Sequence, residues 1–176
     1  YEVEFNFRPF YLTLEGVIKK INILYLINSN SLILQLFKTE ILNNKNLNID
    51  LSVYGEETKN FVDFVKIFLN FKIQEGLIDI DNTRFSWRDS MDFSLEDSLI
   101  YTKDGELILD GKLNINIKNS DEVYKFLLTP KFYRNELTNI KVNFVYNFDQ
   151  KIANLSNILI DDKNNQDVNK TLESLI

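Results

Sequence analysis

The stretch GELILDGKLNINIKN, residues 105–119, places Leu107, Leu109, Leu113, Ile115 and Ile117 in alternation with Glu106, Asp110, Lys112, Asn114 and Asn116. Successive side chains of a β-strand leave on opposite faces, so this segment carries one apolar and one wet face. A strand of this kind is half of a wall: its apolar face must be covered by something. The same alternation recurs along the chain, at Leu47, Ile49, Leu51 and Val53 and again at Ile140, Val142, Phe144, Tyr146 and Phe148.

Working outward, the length of 176 residues predicts one domain, and 44% hydrophobic residues supply ample material for a core. Asp and Glu number 26 against 20 Lys and Arg, an acid excess that argues against a backbone-driven nucleic-acid binder. There is no Cys, which removes a thiolate nucleophile, a disulfide framework and a cysteine metal site. There is no His either, which removes the commonest general base and the commonest metal ligand. Residues 21–42 are interrupted by too many Asn, Ser, Lys and Glu side chains for a spanning helix, which needs about 20 mostly apolar residues. The chain opens at Tyr1 with no basic or apolar leader, and is expected to be a segment of a longer protein whose anchor or signal lies elsewhere.

Two strand pieces are expected over 2–16, with a bend at Pro9, which has no N–H to give to a ladder. The spacing then predicts two short helices over 21–42, one through Ile23, Leu26 and Ile27 and the other opened by Asn30 or Ser31 as N-cap. A strand ending at Tyr54-Gly55 follows. Phe61, Phe64, Val65 and Phe68 suit one face of a helix over 56–70, which is the expectation, although their β-branched and aromatic density equally suits a buried strand; Gly76 suits a bulge. Strands are expected at 78–87, 91–101, 106–118, 138–148 and 151–160, with turns at 88–90 and 103–105, the latter containing the hairpin pair Asp104-Gly105. Ser120 is expected to cap a short helix stopped before Pro130. A groove domain over 1–161 is followed, over 162–176, by a polar linker and an amphipathic helix on Val168, Leu172 and Leu175. Short connections imply a chiefly antiparallel sheet.

Asp79, Asp81, Asp89, Asp92, Glu96 and Asp97 supply the acids that a paired-carboxylate or hard-metal site would need, but they fall on strands whose wet face accounts for them, so no catalytic residue, metal ligand or cofactor site is assigned. Residues 161–165 lack the Gly and closing Glu of a calcium loop. Trp87, beside Phe85 and Arg88, is expected to pack rather than to bind. The 14 Phe and 8 Tyr leave two readings open. In a closed β-sandwich they interdigitate with a second sheet to fill a core, in a compact structural or protein-interaction domain. In an open, curved sheet they line a surface left for a ligand such as acyl chains.

The segments EGLIDIDNTRFSW, GELILDGKLNINIKNSDEVYKFLLTPKFYR, IKVNFVYNFD and IANLSNILID, in this order, resemble the AsmA-like proteins of bacterial envelopes, relatives of TamB and of the repeating β-groove lipid-transfer proteins. The resemblance is one of architecture and extends from about Phe7 to Asp161. It implies a mainly β fold with inserted short helices, in which a curved, chiefly antiparallel sheet forms an open apolar groove. It also implies a non-enzymatic periplasmic protein, anchored to the inner membrane outside this segment, that binds lipid acyl chains and aids phospholipid transport or outer-membrane homeostasis, with envelope proteins as further partners. The groove lining then comes from Leu107, Leu109, Leu113, Ile115 and Ile117 together with Ile140, Val142, Phe144 and Tyr146.

Overall fold

A computed structural model describes residues 1–7, 10–23, 28, 31–42, 44–59, 61 and 63–164. Eleven strands join into a single sheet: β1 (Glu2–Phe7), β2 (Phe10–Ile21), β3 (Leu47–Thr58), β4 (Phe64–Gln74), β5 (Leu77–Asp79), β6 (Arg84–Trp87), β7 (Met91–Lys103), β8 (Glu106–Ile117), β9 (Asn139–Asn147), β10 (Ile152–Ile160) and β11 (Lys163–Asn164). They lie in sequence order except that β5 and β6 share the gap between β4 and β7. Every pairing is antiparallel but one, β2 with β3, whose parallel register requires the long crossover over 22–46. The fold is therefore mainly β, with one curved mixed sheet and few short helices, and among the described residues no second sheet faces it as a closed β-sandwich would require.

The curvature has a local cause. In β4, β7 and β10 the pairing register slips at Val65/Phe68, Glu96/Leu99 and Ser156/Leu159, so that two residues oppose one. The first residue of each bulge, Lys66, Asp97 or Asn157, has a left-handed backbone with φ of 53°, 46° and 50°. The second, Ile67, Ser98 or Ile158, is buried. Bulges of this kind bend the strand and increase its twist, and the described part of this sheet carries three of them.

Among the described residues, two helices lie on the apolar face. In α1 (Leu32–Lys38) the Ser31 hydroxyl accepts from the Leu34 N–H, so the expected N-cap is the one used. Leu34 packs with Ile73, Ile78, Ile100, Leu107 and Phe148 into one buried cluster, and Lys38 pairs with Asp149 in the turn after β9. In α2 (Ser120–Phe126) the cap is Asn119, one residue before the expected Ser120, and the side-chain oxygen of Asn119 accepts from the Glu122 N–H. Val123 of α2 packs with Trp87 and Ile117 into a second cluster.

Four expectations are corrected. Residues 56–70 form no helix: β3 runs through Tyr54-Gly55 to Thr58, and Phe64 begins β4. The helix-like spacing of Phe64 and Phe68 comes from the Lys66 bulge, which shifts the alternation so that Phe64 meets Phe85 and Phe93 while Phe68 lies beside Tyr54 and Arg84. Gly76 lies in a hairpin turn rather than a bulge, with Glu75 at φ 53° and Gly76 at φ 84°, the pair of positive values that a tight hairpin needs. The strand expected over 78–87 is two, β5 and β6, separated by a turn in which Asn82 has φ 63°. Past residue 161 the chain is not all linker, because Asp161 and Asp162, with φ 48° and 59°, turn it back to pair β11 with β10. The bend at Pro9, most of the expected first helix, and the terminal helix on Val168, Leu172 and Leu175 lie outside the described residues.

Candidate functional site

The register lines up one apolar face across the whole sheet. From one edge inward, Phe5 pairs with Leu12, Leu12 with Ile49, Leu51 with Phe71, Ile73 with Ile78 and Ile78 with Ile100. Further on, Leu95 pairs with Leu113, Leu113 with Val142, and Phe144 with Leu155. The opposite face is chiefly polar: Asp92 pairs with Asn116 and Asn114 with Lys141, while Lys112 donates to Asp97 at 2.6 Å. Each strand thus separates an oily side from a wet one, as alternation alone dictates.

The nine side chains expected to line a groove are brought together on this face. Leu109 stands opposite Tyr146, Leu113 opposite Val142, Ile115 opposite Ile140, and Phe144 opposite Gly111. Their exposures divide them. Leu107 is fully buried in the α1 cluster, and Ile117 is buried in the α2 cluster, so the chain itself covers these two. Val142 is buried as well. Leu109, Leu113, Ile115, Ile140, Phe144 and Tyr146 are half-buried.

The helices cover the two ends of the face and leave its middle. Leu51, Leu69, Leu113 and Phe144 belong to neither packed cluster and are each half-buried, and Leu155 beside Phe144 is exposed. The strip that these side chains form between the two helices, from β3, β4, β8, β9 and β10, is where a trough would lie. Leu51, Leu69 and Leu155, together with Leu95 at the edge of the α1 cluster, were not among the residues expected to line it. Leu51 sits in an alternating run visible in the sequence; Leu95 and Leu155 precede bulges at which the alternation changes phase, which hides their common face.

The acids do not assemble into a reaction centre. Asp89 pairs with Lys66 at 2.9 Å, which holds its carboxyl below the ordinary range. At Asp92 burial pushes the carboxyl up, and the stronger combined effect of Lys118 and Ser86 brings it down. Asp81 accepts from the Ser98 N–H at 2.6 Å, and Asp79 from the Asp81 N–H at 2.7 Å, so both anchor the β7 bulge and the turn before β6. Among the described residues no three His, Cys, Asp or Glu side chains converge to hold a metal ion, and no helix is long and apolar enough to cross a membrane. Trp87 is packed at the α2 end of the trough, and the Arg88 guanidinium lies 4.6 Å from its ring centre. Compared with protein-family models, with curated proteins and with solved structures, the chain matches none.

Proposed function

We propose that the chain is a lipid-binding segment that holds acyl chains in the trough between α1 and α2. The observation that carries this reading is the half-open apolar floor: Leu51, Leu69, Leu113, Phe144 and Leu155 share one face of one sheet, and among the described residues neither helix packs on them. Each methylene moved from water onto such a floor gains about 0.8 kcal/mol, so a single chain is retained without any polar recognition. Head groups stay in water above the trough. No catalytic residue and no cofactor enters this reading.

In the longer protein that the AsmA-like resemblance suggests, such segments form a conduit in the periplasm, anchored to the inner membrane elsewhere, for phospholipid transport or outer-membrane homeostasis. The test is position-specific. A photoreactive amino acid at Leu113 or Phe144 should capture a phospholipid acyl chain presented in detergent, and the same group at Tyr54 or Phe68 on the other face should not. Absent capture at both groove positions, or equal capture on the two faces, overturns the reading.

A further inference from the structure

Five exposed large apolar side chains outside the trough fall in one short segment, KFLLTPKFYR, residues 125–134, where α2 ends and a 3-10 turn (Lys131–Tyr133) follows Pro130. Phe126, Leu127, Leu128, Phe132 and Tyr133 are 57%, 63%, 86%, 89% and 68% exposed. Leu128 also carries φ of 54° at the helix end, a conformation that favours glycine. That backbone angle is a helix-ending geometry, and it holds the Leu128 side chain out into water, where it is open to burial against a partner.

The segment is held firmly. The Leu127 N–H donates to the Val123 carbonyl at 2.9 Å, Thr129 N–H to Tyr124 at 2.9 Å, and Arg134 Nε to the Thr129 carbonyl at 2.9 Å. Its apolar tips are therefore presented on a fixed frame. Lys125 and Lys131 are exposed among them, and the ten-residue run contains no acid in a chain of net charge −6; its third basic residue, Arg134, is engaged within the protein by the Thr129 carbonyl and lies 3.9 Å from Asp121. The Phe126 ring lies 4.9 Å from that of Trp87, which sits in the cluster that closes one end of the trough.

We infer that residues 125–134 are a membrane-docking tip that inserts Leu127, Leu128, Phe132 and Tyr133 into the surface of an anionic phospholipid bilayer. Protruding aromatic and aliphatic tips flanked by lysines suit the bilayer interface, where apolar groups sink below the head groups and ammonium groups meet lipid phosphates. A bilayer accepts such a wedge without a complementary pocket.

The experiment is flotation of the whole chain with phosphatidylglycerol vesicles and with phosphatidylcholine vesicles, at low and high salt. Binding should favour the anionic vesicles and weaken with salt. Leu128→Ser and Phe132→Ser should each weaken it about tenfold, with unchanged thermal unfolding because both side chains are already exposed. Lys125→Glu and Lys131→Glu should each weaken binding to anionic vesicles about fivefold and leave the neutral ones unaffected. No flotation with either vesicle, or full flotation of the Leu128→Ser/Phe132→Ser double variant, overturns the inference. Self-association that the same double variant abolishes overturns it in favour of a contact between copies. Acyl capture in detergent needs no bilayer, so failure of docking and failure of the groove reading are told apart.

Discussion

Gly111 of β8 and Ser98 of β7 touch where the sheet bends: a β-carbon at position 111 would stand 2.7 Å from Ser98 Cβ and 2.9 Å from its Cα. Asp97 and Ser98 together oppose this one residue, and Ser98 is wholly buried. The missing side chain at 111 is what lets the bulge fold over β8. Gly111→Ala should therefore destabilise the chain by about 1–3 kcal/mol in denaturant unfolding, despite the usual preference of strands for Ala over Gly. Pairing it with Ser98→Gly should recover part of the loss.

Asp149 links α1 to the sheet, because its carboxylate accepts from Lys38 and from the Leu107 N–H. The Lys38 ammonium, then the Leu107 amide, hold this carboxyl below the ordinary range. A carboxyl lowered by folding stabilises above its unfolded value, near 3.9, and the contribution is lost as pH falls through the folded value. Thermal unfolding followed from pH 7 downward should show a decline below about pH 4 that is shallower in Asp149→Asn.

Leu113 lies on the uncovered floor between the two lids. Leu113→Arg should abolish acyl capture at Phe144 while changing stability by no more than about 1 kcal/mol, since a half-buried arginine can lead its charge to water. Native mass spectrometry of the loaded protein reads the first effect and denaturant unfolding the second.

The Asn119 side chain caps α2 through the Glu122 N–H at 3.2 Å. Asn119→Ala should cost about 1 kcal/mol and loosen the lid over Trp87, seen as easier quenching of Trp87 fluorescence by iodide. Ser120→Ala, one residue on, should leave both measurements near those of the unmodified protein.

Much of this architecture is written locally. The alternation in 105–119 and 138–148 specifies two-faced strands, Asp104-Gly105 specifies the hairpin that joins β7 to β8, and Ser31 opens its helix where its hydroxyl predicts. A period of two puts the five expected residues of β8 on one side of their strand and the four of β9 on one side of theirs, and the β8/β9 register brings the two sides together. The bulges at Lys66, Asp97 and Asn157 are harder to read: each has a left-handed residue that is not glycine, and each flips the phase of the strand it interrupts. That flip made Phe61, Phe64 and Phe68 resemble a helical face.

Periodicity records where a side chain points relative to its own backbone, and that much the amino-acid sequence determined alone: strands with an apolar and a polar side, joined by short turns. What lies opposite an apolar side depends on residues far along the chain, and only the tertiary structure decided it. Leu107 is sealed because Leu34, from a helix more than seventy positions earlier, lands on its end of the sheet, whereas among the described residues neither helix packs on Leu113. The parallel union of β2 with β3, the curl imposed by three bulges and the placement of α1 and α2 at opposite ends of one face are long-range outcomes. They arise from packing free energy summed over the whole sheet, which no local pattern encodes.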